Sequence, residues 1–209
     1  SGADITLAVD AGATFDAGEW SAAAVKSRTN VVTGSKLNSI TNSLADTTLA
    51  GGIGKVLAKY TFVFENGANR DTANEELKAI FDKLVITVSK SAAVVITNVK
   101  ANIDGTATKV AANTLTTLGA ASTSGSATWN ATTLQGLTDS GKADGSVTLV
   151  ITGDVVTTAN EFVQTSLADL NGSGSDDSFN FIGDGELLGA ALTNMYLPVA
   201  DVAGATLSN

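Results

Sequence analysis

An all-β sandwich with Greek-key connections is the fold class this sequence predicts, and three observations lead to it. Short runs of Val, Ile, Leu and aromatic residues alternate with polar ones along much of the chain, the period of a half-buried strand. Turn signals separate the runs: Asp104-Gly105, Ser124-Gly125, Asp144-Gly145, Gly172-Ser173-Gly174 and Gly183-Asp184-Gly185. Hydrophobic residues fill 44% of the 209 positions and charged ones 16%, against about 25% charged in an average soluble domain, so the chain has material for a core and lacks the composition of disorder. Many short strands at this spacing suit a sandwich, and the length suits a single domain over 1–209. With only 5% aromatic residues, that core is expected to be aliphatic.

The first strand is expected over 4–10, where Ile5, Leu7 and Val9 alternate with Asp4, Thr6, Ala8 and Asp10. Residues 11–54 are rich in Gly, Ala, Ser, Thr and Asn and read as irregular connections, with short strands near Ala22–Lys26 and Asn30–Val32. Lys55–Glu65 gives the clearest strand: Ala58, Tyr60, Phe62 and Phe64 on one side, Lys59, Thr61 and Val63 on the other. Residues 71–84 carry a mixed signal. Thr72 and Glu75 have capping-box spacing, and Leu77, Ile80, Phe81 and Leu84 stand at helical i, i+3, i+4 and i+7 positions. One short helix is therefore expected near 72–79, handing over to a strand at Leu84–Val88. Further strands are predicted at Val94–Ala101, near Lys109–Ala111, and at Ser126–Asn130, Val147–Thr152, Glu161–Leu167 and Phe179–Ile182. The tail, 195–209, holds the chain's only proline, Pro198, between Leu197 and Val199. Proline lacks a ladder donor, so this segment belongs on an edge strand or docked at an edge.

No histidine and no cysteine occur, which excludes a Ser-His-Asp or Cys-His catalytic site and any His- or Cys-ligated metal. The net charge of −9 is unevenly placed: residues 1–142 hold twelve bases against twelve acids, whereas 143–209 hold nine acids and no base. Without clustered Lys and Arg, nucleic acid is disfavoured as a partner. No run approaches the ~20 apolar residues of a membrane span. Ser1-Gly2-Ala3, small residues of the kind signal-peptide cleavage leaves, open directly into strand-like sequence, so a secreted, cell-surface or extracellular chain is expected.

One stretch has ligand spacing. Asp169, Asn171 and Gly174 match positions one, three and six of a calcium loop, and Asp176 and Asp177 add oxygens, so Asp169, Asn171, Asp176 and Asp177 are the candidate calcium ligands. The pattern is incomplete: Ser173 fills position five weakly and Asn180 stands where a bidentate Glu belongs. The bland alternative is an acidic Gly/Ser loop without metal, and no cofactor is required. Gly51-Gly52-Ile53-Gly54-Lys55 resembles a phosphate loop only superficially, because Val56 replaces the metal-binding Ser/Thr and the glycine spacing is wrong. Trp20 and Trp129 are expected as core or interface anchors rather than sugar platforms. Catalysis is not expected.

The strand sequence Lys55–Glu65, Leu84–Val88, Val94–Lys100 with Asp104-Gly105, and Val147–Asp154 resembles immunoglobulin-like β-sandwich domains of microbial surface layers, pili and extracellular fibres. The likeness covers roughly residues 50–185 and rests on pattern rather than signature; the long 66–83 segment departs from it. It implies a structural subunit that assembles with copies of itself, an end of one chain adding a strand to its neighbour. Ile5, Leu7 and Val9, with Leu197, Pro198 and Val199, are the expected subunit contacts. Two other readings stay open: a calcium-dependent adhesion or glycan-binding module, whose partners are surface glycans, and a viral coat or decoration protein.

Overall fold

The computed structural model describes residues 3–5, 30–32, 36–65, 79–116, 118–134, 137, 142–143, 145–168, 170, 178–183 and 201–209. Two short strands come first, β1 (Ala3–Ile5) and β2 (Asn30–Val32), followed by β3 (Lys36–Asn42), β4 (Thr47–Thr48) and the long β5 (Gly52–Glu65). Then come β6 (Ala79–Lys90), β7 (Val95–Ile103), β8 (Val110–Ala111), β9 (Thr114–Thr116) and β10 (Ser124–Asn130). A four-residue helix α1 (Ala131–Leu134) precedes β11 (Lys142–Ala143), β12 (Ser146–Val156), β13 (Phe162–Leu167), β14 (Phe179–Gly183) and β15 (Val202–Ser208).

Thirteen of these strands form a two-layer β-sandwich. One layer is a five-stranded sheet in the order β3-β5-β12-β7-β8. The other is an eight-stranded sheet running β4-β15-β13-β6-β10-β9, with β11 and β14 also paired to β6. Because Leu84 pairs with both Trp129 and Phe179, β10 and β14 lie on opposite edges of β6. The order is crossed, as expected from the sequence: β12 sits between β5 and β7, and β15 between β4 and β13. Among the described residues, β1 and β2 pair only with each other.

The predicted strands at Asn30–Val32, Lys55–Glu65, Leu84–Val88, Val94–Ala101, Lys109–Ala111, Ser126–Asn130, Val147–Thr152, Glu161–Leu167 and Phe179–Ile182 are all present, several of them longer. Four lie outside every predicted segment, β3, β4, β9 and β11; β15 falls in the tail expected at an edge but lies between β13 and β4. The only helix among the described residues is α1, which opens at Asn130; its Oδ1 accepts from the Thr133 N–H (3.1 Å) and hydroxyl (3.0 Å), a side-chain N-cap. Of the helix expected near 72–79, residues 72–78 lie outside the described residues, and Ala79 starts β6.

The helical spacing of Phe81 and Leu84 has another origin. Opposite β14, Lys83 pairs with Asn180 but Phe81 with Phe181, so Asp82 is an extra residue in β6. This β-bulge resets the alternation and turns both Phe81 and Leu84 into the core. A bulge at Leu57 in β5 does the same for the neighbours Leu57 and Ala58.

The core is not purely aliphatic. Five of the chain's seven phenylalanines, Phe62 and Phe64 from β5, Phe81 from β6, and Phe179 and Phe181 from β14, form one cluster with ring centroids 4.6–6.1 Å apart. Composition alone hides this concentration, because a small aromatic total says nothing about where the rings meet. Trp129 is fully buried and donates from Nε1 to the Val110 carbonyl (3.2 Å), the anchor role expected for it; Trp20 lies outside the described residues. Aliphatic side chains from β7, β12, β13 and β15 complete the core.

Candidate functional site

The most distinctive surface lies where β5 begins and β12 ends, here called the Gly52 end. Gly52 (φ 132°) and Gly54 (φ 62°) bracket Ile53, and only glycine enters such conformations without strain. Residues 53–54 are extra with respect to Asp154, since Gly52 pairs with Val155 and Lys55 with Gly153. Across β12, Asn98 of β7 lies in a second bulge and is itself left-handed (φ 50°). Asp154 ties the two bulges together: the Gly54 N–H donates to Oδ1 (2.8 Å), and Asn98 Nδ2 donates to Oδ2 (2.6 Å).

These bonds, first that from Asn98 and then that from Gly54, hold the Asp154 carboxyl below its usual range, with the Lys100 charge helping. The bulges turn Ile53 outward, where it is 87% exposed. Val156 (65%) and Val56 (38%) stand beside it along the same strands. Three of the five large apolar side chains left exposed among the described residues thus lie at the start of β5 and the end of β12; the others are Leu115 and Phe162.

A second cluster lies behind it, inside the sandwich. Lys90 continues the inward series Leu84, Ile86, Val88 on β6 and is buried. Its ammonium donates to the carbonyls of Gly119 (2.9 Å), Ser122 and Ser91. Burial pushes the Lys90 pKa down, and the nearby Glu161 carboxylate partly restores it.

Glu161 is buried too and accepts from the Thr157 hydroxyl (2.6 Å), the Thr158 N–H (2.7 Å) and the Thr158 hydroxyl (3.0 Å). Those bonds, led by that from Thr157, hold its pKa down. Asn209 closes the same turn, its Oδ1 accepting from the Glu161 N–H (2.9 Å) and its Nδ2 donating to the Thr158 carbonyl. On the outer face of the five-stranded sheet Lys59 pairs with Asp104 (2.9 Å), which lowers the Asp104 pKa.

Each of these charged groups holds strands or turns in place. Among the described residues, no group of three or more acidic side chains is arranged to hold a metal ion, and no helix is long and apolar enough to cross a membrane. The depressed pKa values predict the acid response. Asp104, Asp154 and Glu161 contribute stability above their unfolded pKa, near 4, and lose it as pH falls through their lower folded values. Urea midpoints should therefore drop below about pH 4, and the drop should be smaller in Glu161→Gln. Equal acid sensitivity in that variant would remove Glu161 from the explanation.

Of the residues singled out from the sequence, Ile5 lies in β1, paired with Asn30. Leu7, Val9, Leu197, Pro198 and Val199 lie outside the described residues, as do Asp169, Asn171, Asp176 and Asp177. Sequence reading missed Ile53, Val156, Asn98 and Asp154. A signal existed for Ile53, an isolated apolar residue between glycines; nothing local linked Asp154 to either bulge.

The class these features define is a β-sandwich of two sheets. No protein-family model matches the chain, and no curated protein matches its sequence. Two solved structures to which it is similar are cohesins. The seventh ScaB type I cohesin from Pseudobacteroides cellulosolvens has 14% identity and a TM-score of 0.34, covering 80% of this chain and 90% of that one. A type III cohesin module from the cellulosomal ScaE cell-surface anchoring scaffoldin of Ruminococcus flavefaciens has 15% identity and a TM-score of 0.27, covering 84% and 88%. At this overlap neither match assigns a ligand or a partner to this chain.

Proposed function

We propose that this chain is the structural subunit of an extracellular homopolymer, a pilus-like filament or surface layer, in which subunits join head to tail by β-strand exchange. One observation carries this reading: among the described residues, β1 pairs with no strand of either sheet of the sandwich. It pairs with β2 in a ribbon that shares no strand with either sheet. A ribbon of two strands is marginal in water, and it gains by pairing with the edge of another sheet. Among the described edge strands, β3 is seven residues long, whereas β4 and β8 have two each and β9 has three. It is the edge best able to accept an extended segment from a neighbour. A heterologous contact of this kind propagates instead of closing.

Electron microscopy of the purified protein, with and without calcium, tests the proposal. Regular filaments or sheets are expected from the full chain, and folded, dispersed monomers from a chain lacking residues 1–12. Filaments from the shortened chain would move the exchange to the 195–209 tail, and dispersed full-length monomers in both buffers would overturn the polymer reading. The 169–177 stretch supports a second reading, a calcium-dependent adhesion module. It calls for a melting temperature that rises with added calcium in a protein that stays monomeric.

A further inference from the structure

On one flank of the sandwich, β3 of the five-stranded sheet packs against β15 of the eight-stranded one. The segment 43–51 links the two layers there. It leaves β3 where the Ser43 N–H donates to the Lys59 carbonyl (2.8 Å), then crosses to the eight-stranded sheet to pair as β4. Leu44 packs against the core and Leu49 is buried in it, and the Leu49 N–H donates to the Ser208 carbonyl (3.0 Å). β4 runs parallel to β15, with Thr47 opposite Leu207 and Thr48 opposite Ser208. The ladder goes no further than these two residues.

Asp46 stops it. The register would next place Asp46 opposite Thr206, but Asp46 meets the strand with its side chain: the Thr206 N–H donates to Asp46 Oδ1 (2.8 Å). A carboxylate therefore stands where a paired strand would present a main-chain carbonyl. From Thr206 back to Val202, the only strand paired with β15 among the described residues is β13, on its other side. An unguarded strand edge is a template for another chain, and a charged side chain on the edge is one way to close it. A bond from an N–H to a carboxylate is also stronger than one to a neutral carbonyl, so an incoming strand displaces Asp46 at a loss. β3 has no such plug among the described residues. Its Asn42 side chain bonds both main-chain groups of Leu44 in the adjoining turn, and not the strand edge.

We propose that the β15 edge at Thr206 is a second strand-docking site, held closed by Asp46, and that its occupant when open is an extended strand of a second copy of this chain. The inference rests on the polymer reading for the identity of that strand, and adds the choice of edge. A neighbour's strand reaching this flank meets one edge without a plug, β3, and one with a plug, β15. Growth then runs through the five-stranded sheet alone, and each subunit accepts one strand instead of two.

Asp46→Ala and Asp46→Asn test it. Asp46 is exposed, so circular dichroism should show both variants folded. Asparagine keeps an acceptor at the Oδ1 position and should behave as the parent, whereas alanine frees the Thr206 N–H. In sedimentation across a concentration series, Asp46→Ala should assemble at a concentration at least about tenfold below the parent's. Its Thr206 amide should exchange faster than the parent's while the protein is dispersed, and regain protection once it assembles. A merely structural role for Asp46 gives the first change without the second. Assembly of Asp46→Ala only at the parent's concentration, or a Thr206 amide still unprotected in the assembled variant, overturns the docking site and leaves the polymer reading standing. An Asp46→Asn protein that assembles like Asp46→Ala overturns the plug. A parent that stays monomeric while Asp46→Ala associates with a protected Thr206 amide overturns the polymer reading and retains this site. If neither protein associates, both fall.

Discussion

Replacing Gly204 with alanine is expected to destabilise the sandwich by about 2–4 kcal/mol, a fall in melting temperature of about 5–12 °C for a chain of this size. In β15 the register passes from Thr206 opposite Gln164 to Ala203 opposite Ser166, so Gly204 and Ala205 share the place opposite Thr165. That bulge brings Gly204 against a buried polar pair, the Tyr60 hydroxyl and Thr165 Oγ1, 2.9 Å apart. A Cβ at Gly204 would overlap Thr165 Oγ1 and lie 2.8 Å from the Tyr60 hydroxyl and 2.9 Å from the Thr165 carbonyl oxygen. Either β15 moves off β13 or the hydroxyl pair breaks, and breaking it strands a buried phenol whose pKa burial has already pushed up to about 12.

Thr165→Ala should recover part of the loss in the Gly204→Ala background by removing the overlapping oxygen, and the double-mutant cycle should show strong coupling. A Gly204→Ala protein that melts with the parent would mean that β15 does not approach Tyr60 this closely. The Tyr60 shift has its own sign: stability it contributes below pH 10 is lost as pH rises through about 12.

Lys90→Met is expected to cost a similar amount, about 2–4 kcal/mol. The lysine is held in the core against its own desolvation, which is why its pKa is lowered. Methionine relieves that penalty and nearly fills the volume, but leaves the Gly119 and Ser122 carbonyls without that donor and Glu161 without its nearby cation, while the Ser91 carbonyl keeps the Val94 N–H. The two carbonyls left without the ammonium outweigh the relief of desolvation.

The damage should be local as well as global. The Ala121 N–H bonded to Ala92 and the Ile96 N–H bonded to Leu118 are expected to exchange faster in hydrogen-exchange measurements, while amides of the β5–β12 ladder follow global stability. A Lys90→Met protein as stable as the parent, with unchanged exchange at Ala121, would show that water replaces the ammonium without loss.

Much of the sandwich was legible because alternation survives where strands are regular. In β5, Ala58, Tyr60, Phe62 and Phe64 point inward as their spacing predicts. Legibility failed at bulges, where one extra residue shifts the period: Asp82 gives Phe81 and Leu84 a helical separation within a strand. It also failed for β3, whose Leu37 and Ile40 lie inward across a register shift and so never show a period of two. The role of Lys90 was written in the series Leu84, Ile86, Val88, Lys90, but a charged residue there reads naturally as a strand end. The Gly52 end was the least legible, since Asp154 meets Gly54 and Asn98 only after three strands have aligned.

The position of β15 has a kinetic consequence. This strand, residues 202–208, lies between β13 and β4, and its pairing with β4 joins Leu207 to Thr47 across most of the chain. Until it arrives, the eight-stranded sheet lacks the strand that covers the outer edge of β13, and Tyr60 lacks the backbone that packs over its hydroxyl. Pairings so distant in sequence close slowly, because the loop entropy is lost before the contact forms. A growing chain therefore leaves the edge of β13 and the Tyr60 hydroxyl uncovered until residues 202–208 have been made.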